Sequence, residues 1–554
     1  MPKLTVDGRP VEVEAGQTVM NAAEKLGIEI PRFCYHSKLP VAGNCRMCLV
    51  EVEKMPKLTT SCTTPATEGM VVLTKSPKVK EGQKAVLEYL LINHPLDCPV
   101  CDKAGECDLQ DQYFAFSSTP SRMIDQKVHK PKRIELGPTI KLDQERCVLC
   151  TRCVRFLEVY AHDHSLGTVN RGDRAILTVF PGRPLDNIYS LNTVDLCPVG
   201  ALTSKDFRFK KRVWFLKNAD SVCTFCSNQC STVVQHDEGT IYRILPRENE
   251  KVNGPWMCDT GRLEYRFINA EERVKCPMVR RDEGQERTTW REAMEAVGAA
   301  FKAAGSRAAG LASPRMTNES LFAFAKLFVE TLGSKLAGFV KADAGLVEGA
   351  PADDFLIKAD KNPNTRGAEE IFAAWGVEVD GARSVLEAAE GGKLAALLVM
   401  DQALLERVPN RERWLKALAK VKFVAVASLA ENELTRLAHV VLPLASWAEE
   451  EGTYTRFDGL VQRSWRAVPP RGEAKDALGL LSQVAVAAGK QALPLVAEAV
   501  FKALVAKVRC FGSLTYAAIG KQGAKAGSGA ATHKVEIVNL AKDKGAGGAE
   551  ARTW

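Results

Sequence analysis

Fifteen of the seventeen cysteines lie between Cys34 and Cys258, and the 296 residues that follow hold only Cys276 and Cys510. No other feature constrains the chain as strongly. A disulfide framework belongs to small secreted domains. This chain has 554 residues, and its start, Met1-Pro2-Lys3-Leu4, reads as a strand entering a turn. It does not read as a charged stretch followed by an apolar run, so no targeting segment is expected. Closely spaced cysteines in such a chain read as metal sites.

The cysteines fall into four groups. Cys34, Cys45, Cys48 and Cys62 follow C-x10-C-x2-C-x13-C. The pair two residues apart suits one iron, and the distant cysteines close a cage around a second. Thiolates are soft, strongly donating ligands, suited to iron–sulfur clusters. Gly43, in VAGNCRMC, lacks a Cβ and so lets backbone N–H groups approach the sulfurs. The second group, HPLDCPVCDKAGEC, offers Cys98, Cys101 and Cys107, with His94 at the right distance to supply a fourth ligand. A neutral imidazole in place of a thiolate makes the site less negative and raises its potential. The third, Cys147, Cys150 and Cys153 in CVLCTRC with Cys197 in CPVGAL, carries the C-x2-C-x2-C signature of a [4Fe–4S] ferredoxin. The fourth is Cys223, Cys226 and Cys230 with Cys258, spaced C-x2-C-x3-C-x27-C. Zinc held by the same residues is the competing reading, weakest at the third group and nearly even at the fourth taken alone. Cys276 and Cys510 lack partners at metal spacing and read as buried structural thiols.

The remaining patterns give the layout. Val11–Glu14 alternates after an Asp7-Gly8 turn, Thr18–Leu26 reads as a short helix, and Leu49–Val52 alternates again. Lys84–Asn93 is helical in pattern. Beyond Cys276, helical stretches at Trp290–Ala304 and Glu319–Leu332 alternate with strand candidates at Ala396–Met400, Phe423–Ala427 and Val440–Leu444, which suggests α/β layers. From about 511 the Gly-, Ala- and Lys-rich sequence reads as a flexible tail. The expected segments are 1–78, 79–118, 119–220, 221–275, 276–510 and 511–554. The net charge of +8 is dispersed, a weak argument for nucleic acid or a membrane surface. The most apolar stretch, Leu394–Leu405, is broken by Asp401, so nothing is expected to span a bilayer and any membrane link comes through partners. No G-x-G-x-x-G fingerprint follows a convincing strand, so no dinucleotide site is expected in this chain.

The run from Cys34 to Cys258, with AGNCRMCLVEVE and HPLDCPVCDKAGECDLQD, resembles the G-subunit family of bacterial NADH:quinone oxidoreductase, counterpart of the large cluster-bearing subunit of mitochondrial complex I. The resemblance implies a multidomain α/β and α+β chain: a β-grasp ferredoxin-like domain, [4Fe–4S] modules and a shortened molybdopterin-oxidoreductase-like domain. It implies a [2Fe–2S] cluster on Cys34, Cys45, Cys48 and Cys62. It implies [4Fe–4S] clusters on His94, Cys98, Cys101 and Cys107; on Cys147, Cys150, Cys153 and Cys197; and on Cys223, Cys226, Cys230 and Cys258, the last off the main path. The C-terminal likeness rests on TTWREAM, DKNPNTRGA and EEEGTYTRFDGLVQ. Little chain remains between Phe339 and Asp354, and no cysteine stands where related catalytic subunits bind metal, so no molybdopterin is expected. The implied function is electron relay from a flavin- and NADH-binding subunit toward quinone, at the inner face of the cell membrane within a complex. No substrate site of its own and no nucleic acid are expected. The alternatives are a catalytic subunit of a molybdenum formate dehydrogenase or iron hydrogenase, and a zinc-bound scaffold.

Overall fold

The computed structural model describes residues 1–117, 120–282, 284–342, 350–378, 381–400 and 408–527. Asp401, the middle of the short Phe339–Asp354 interval and the tail beyond 527 lie outside the described residues. The chain divides into two compact units, 1–216 and 217–554.

The first unit opens with a hairpin. Lys3–Val6 and Arg9–Glu12 pair antiparallel across Asp7 and Gly8, whose φ values of 46° and 78° give the two left-handed positions of a type I′ turn. Lys3–Val6 also runs parallel to Val71–Leu73, which continues through Leu49–Val52 to Thr59–Thr60, completing a five-stranded sheet. Helix Val19–Lys25, capped by the Thr18 hydroxyl, packs Val19, Met20, Ala22 and Ala23 against Leu4, Val6, Val50 and Val72. This is the β-grasp arrangement, and Cys48 and Cys62 belong to its core. Helix Pro77–Leu91 starts well ahead of Lys84, where the apolar pattern begins, because Ser76 caps it and Pro77 fits the first helical position. Helix Asp108–Phe116, a sheet of Leu202–Ser204, Ile140–Leu142 and Ile134–Glu135, and hairpin Leu166–Val169/Ile176–Val179 complete the unit.

The second unit begins with an antiparallel sheet of Lys217–Val222, Ser231–Asp237 and Thr240–Pro246. Beyond it stands a seven-stranded sheet. Val440–Pro443, Val424–Ser428, Ala396–Met400, Ala308–Ala312 and Ala337–Phe339 run parallel, and Met278–Arg281 with Gly284–Arg287 adds an antiparallel edge. Ala308–Ala312, Ala396–Met400 and Val424–Ser428 are buried at every residue, as a sheet covered on both faces requires. Leu398 and Met400 join the cluster under helices Trp290–Ala304 and Ala477–Ala487, while Leu397 and Val399 join the one under Gly381–Glu390 and Arg411–Leu418.

The structure departs from the sequence reading at two further places. The expected tail from 511 is ordered as far as 527. Tyr516 is buried and donates to the Glu319 carboxylate at 2.8 Å, and Ala524–Lys525 pairs with Leu460–Ser464. Its apolar residues Phe511, Tyr516 and Ile519 outweigh the surrounding glycines. Cys276 is only partly buried, whereas Cys510 is buried as expected.

A buried ion pair pins the parallel sheet to its C-terminal neighbour. Arg273 and Glu449, with side-chain exposures of 1% and 0%, meet through two parallel bonds of 2.7 and 2.9 Å. Glu449 also accepts the Ser446 N–H at 2.7 Å. Removing one partner strands the other charge in the core. Glu449→Ala should therefore lower the unfolding free energy of this unit by about 3–5 kcal/mol, read by urea titration of the full chain; a loss below about 1 kcal/mol would contradict the assignment.

Candidate metal centres

Each cysteine group sits where a short, tightly wound loop meets a distant strand or helix end. In the first group Cys34, Cys48 and Cys62 are buried and Cys45 is partly so. The sulfurs touch in series: Cys34 hydrogen-bonds Cys45 and Cys62, and Cys62 hydrogen-bonds Cys48. Those bonds drive Cys34 and Cys48 below an ordinary thiol and push Cys45 and Cys62 above it, Cys34 being the largest influence on both. The N–H groups of Asn44 and Cys45 point at the Cys34 sulfur and that of Met47 at Cys45. Gly43, at φ 66°, lets the loop close, since a Cβ there would stand 2.8 Å from the Thr63 methyl.

In the second group, burial first and then the Arg146 guanidinium hold the His94 pKa down to about 4. The ring is neutral at pH 7, the form that binds metal. Burial pushes Cys107 up to about 11 and raises Cys101 as well, while the N–H groups of Leu109 and Gln110, opening helix Asp108–Phe116, work the other way at Cys107. Arg146, itself 5% exposed, lies near both Cys101 and His94 and is anchored on Asp97 at 3.0 Å.

The third group encloses a cavity. Cys147, Cys150, Cys153 and Cys197 line a small apolar space of about 20 Å³ with Val148, Leu149, Thr168, Leu177, Val199 and Leu202 among their neighbours. Burial pushes Cys147 to about 12 and Cys150 to about 11, and Cys197 adds to both. The loop winds tightly because Leu149 and Thr151 take φ of 51° and 58°, a left-handed conformation that costs a side-chain-bearing residue ~1–3 kcal/mol. Four thiols lining one apolar space are the donor set that an iron–sulfur cluster uses.

In the fourth group all four cysteines are buried. Cys223 and Cys258 come side by side over Gly261, where a Cβ would stand 2.7 Å from one sulfur and 3.4 Å from the other. Burial raises the Cys223 and Cys258 thiols far above their ordinary range, with Cys230 the next contributor to each. Two buried cations attend the group, and the sequence alone gives neither a role. Lys361 is 2% exposed, stands 5.5 Å over the Phe225 ring and is drawn toward Cys226 and Cys258. Arg456 donates to the Asn228 side-chain oxygen at 2.8 Å, and the Asn228 amide faces the Cys230 sulfur at 3.4 Å. The DKNPNTRGA motif contains Lys361, but no local pattern ties it to a cysteine group so far upstream.

The three groups of the first unit adjoin one another out of sequence order. Asn44 donates to the Leu149 carbonyl at 3.1 Å, joining the first and third loops. Asp108 N–H donates to the Pro198 carbonyl at 3.0 Å, joining the second and third. Gly200, in CPVGAL, lies so close to the second group that a Cβ would meet the Cys101 sulfur at 2.2 Å.

Comparison with known proteins agrees with this layout. Family models match as a 2Fe-2S iron-sulfur cluster binding domain over 2–77, an NADH-ubiquinone oxidoreductase-G iron-sulfur binding region over 83–122, and the ferredoxin-like domain of NADH-quinone oxidoreductase subunit 3 over 137–203. A molybdopterin oxidoreductase Fe4S4 domain matches 216–270, and the molybdopterin oxidoreductase model matches 273–364 and 365–486. The chain is 37% identical over 453 residues to the NADH-quinone oxidoreductase G-subunit of Streptomyces coelicolor, covering 81% of this chain and 53% of that protein. It is 43% identical over 329 residues to one of the NADH-quinone oxidoreductase G-subunits of Rhizobium meliloti, covering 59% and 39%. It therefore spans about half, or less, of the length of these bacterial relatives. With the mitochondrial NADH dehydrogenase [ubiquinone] iron-sulfur protein 1 of Solanum tuberosum it is 31% identical over 593 residues, covering 87% of this chain and 80% of that one. A crystal structure of an NAD+-reducing [NiFe]-hydrogenase in the H2-reduced state aligns at 30% identity with TM-score 0.36, over 38% of this chain and 91% of that one.

The chain thus carries both 2Fe-2S and 4Fe-4S binding domains, and the glycines beside the sulfurs give a selective test. Gly261→Ala should deplete the iron and sulfide of the fourth group alone, and Gly200→Ala those of the second alone. EPR of the reduced chain, with iron and sulfide counts, reads both; full occupancy of all groups in either variant would contradict the close packing.

Proposed function

We propose that this chain, which belongs to the family of the NADH-quinone oxidoreductase G-subunit and the mitochondrial iron–sulfur protein 1, relays single electrons from a flavin-bearing NADH-oxidising subunit toward quinone. The reading places one [2Fe–2S] cluster on Cys34, Cys45, Cys48 and Cys62. It places [4Fe–4S] clusters on His94 with Cys98, Cys101 and Cys107, on Cys147, Cys150, Cys153 and Cys197, and on Cys223, Cys226, Cys230 and Cys258. When bound, such clusters take up and release one electron without breaking a covalent bond.

The contact between ligand loops carries the proposal. Asn44 on Leu149, and Pro198 and Gly200 on the second group, support a relay that runs first, third, second in space. The chain's own residues hold the ligands, keep water from the sulfurs and offset their negative charge with backbone N–H groups and buried cations. His94 makes its site less negative by standing in place of a thiolate, which favours the reduced form there. Among the described residues no helix is long and apolar enough to cross a membrane. The reading accordingly ties the chain to the inner face of the cell membrane through partner subunits. It gives the molybdopterin-oxidoreductase-like unit a scaffolding role with no pterin, and places the fourth cluster beside the main path.

In the assembled complex, Cys147→Ala and Cys98→Ala should abolish NADH-to-quinone electron flow. Cys226→Ala should lower assembly or stability and leave flow per assembled complex near that of the parent. Undiminished flow in either of the first two variants, or its loss in fully assembled Cys226→Ala complex, would refute the assignment at that site.

A further inference from the structure

A single side chain binds the backbone of one ligand from each of two groups. Arg155, in helix Arg152–Phe156, donates through Nη2 to the Cys34 carbonyl at 2.5 Å and to the Cys150 carbonyl at 3.1 Å. Its Nη1 reaches the Pro40 carbonyl, and its Nε bonds the Thr151 hydroxyl at 3.2 Å. All three nitrogens of the fork are thus engaged, and the guanidinium can sit in only one place. The adjoining Arg152 makes a parallel link, to the Tyr35 carbonyl at 2.8 Å and the Leu196 carbonyl at 3.4 Å. Tyr160 adds a third, donating to the Lys38 carbonyl at 2.7 Å. Of these three linking side chains, Arg155 is the one that bonds a cysteine of both groups.

We propose that Arg155 is the positioning residue that couples the first and third clusters: it fixes the gap between the Cys34 and Cys150 loops and holds one permanent positive charge between two anionic centres. The inference rests on the relay reading above. A guanidinium keeps its charge at every pH the chain meets. Each centre bound by four thiolates is negative and gains one more negative charge on reduction, so a fixed cation beside it favours the reduced state. Because Arg155 serves both centres, it raises both potentials together. One electron lost at the Cys34 group is gained at the Cys147 group, and no bond or proton at Arg155 changes. A lysine there would keep the charge but, with a single nitrogen, could not span the two carbonyls in the same fixed plane.

The test is an EPR-monitored redox titration of the full chain, purified without oxygen, as parent, Arg155→Met and Arg155→Lys. Arg155→Met should lower both midpoint potentials, each by a shift equivalent to about tenfold in the redox equilibrium, or 59 mV for one electron. The signals of the His94 and Cys223 groups should not move. Arg155→Lys should keep both potentials and alter the magnetic broadening between the two reduced centres, because the loops are no longer clamped. Iron-loaded Arg155→Met with either potential unchanged would overturn the inference alone. Should Arg155→Met lose its iron, Arg155→Lys decides: altered broadening upholds the inference, and parent-like broadening overturns it. A parent chain without iron and sulfide would instead overturn the relay reading, and this inference with it.

Discussion

Thiolates gathered in an apolar pocket repel one another and lose their hydration, and everything distinctive about this chain follows from that cost. Burial first, and then mostly the neighbouring sulfurs, pushes the thiols of Cys147, Cys150, Cys153, Cys223, Cys230 and Cys258 upward, toward the protonated form that binds no metal. A bound metal would reverse the balance, because a coordinated thiol gives up its proton outright. The protein supplies what iron does not: N–H groups aimed at sulfur by left-handed residues such as Leu149 and Thr151, and cations held out of water. Arg146 stands by the second group, Arg155 between the first and third, and Lys361 and Arg456 by the fourth. Buried cations are expensive alone and tolerable beside concentrated negative charge.

Much of this is legible in the sequence. Thiolate ligands in these folds come mostly from one short loop, so C-x2-C pairs announce themselves. The distant members are readable because Cys197 precedes a proline in CPVGAL and Cys258 closes GPWMC. Strands of the parallel sheet show as apolar runs, Ala396–Met400 among them, since both faces are covered. What stays hidden in the sequence is mostly three-dimensional. The spatial order of the groups depends on bonds such as Asp108 to Pro198, between segments that nothing local connects. Arg155 reads as an ordinary basic residue after a cysteine, and Lys361 as a charge on a loop. The end of the second unit escapes a sequence reading for a different reason: Gly- and Lys-rich composition masks Tyr516 and the strand Ala524–Lys525, which tertiary packing holds in place.

The two units meet the same requirement differently. In the first, the protein around the sulfurs is made of short elements, and the ligand loops brace one another through Asn44, Arg152 and Arg155. In the second, the fourth group is braced by the larger fold: Ser227 donates to the Asp360 carbonyl at 2.9 Å and Gln462 donates to the Gln229 carbonyl at 2.8 Å. A scaffold of the molybdopterin-oxidoreductase type thus walls the fourth cysteine group.

What the sixteen proposed ligand positions hold decides between a relay and a scaffold. Elemental and acid-labile sulfide analysis of the oxygen-free full chain, covering iron, zinc and molybdenum, tests this most directly. Iron and sulfide should appear in amounts matching one [2Fe–2S] and three [4Fe–4S] clusters, with neither zinc nor molybdenum in stoichiometric quantity. Zinc without sulfide would contradict the relay at its root, and stoichiometric molybdenum would contradict the role given to the second unit.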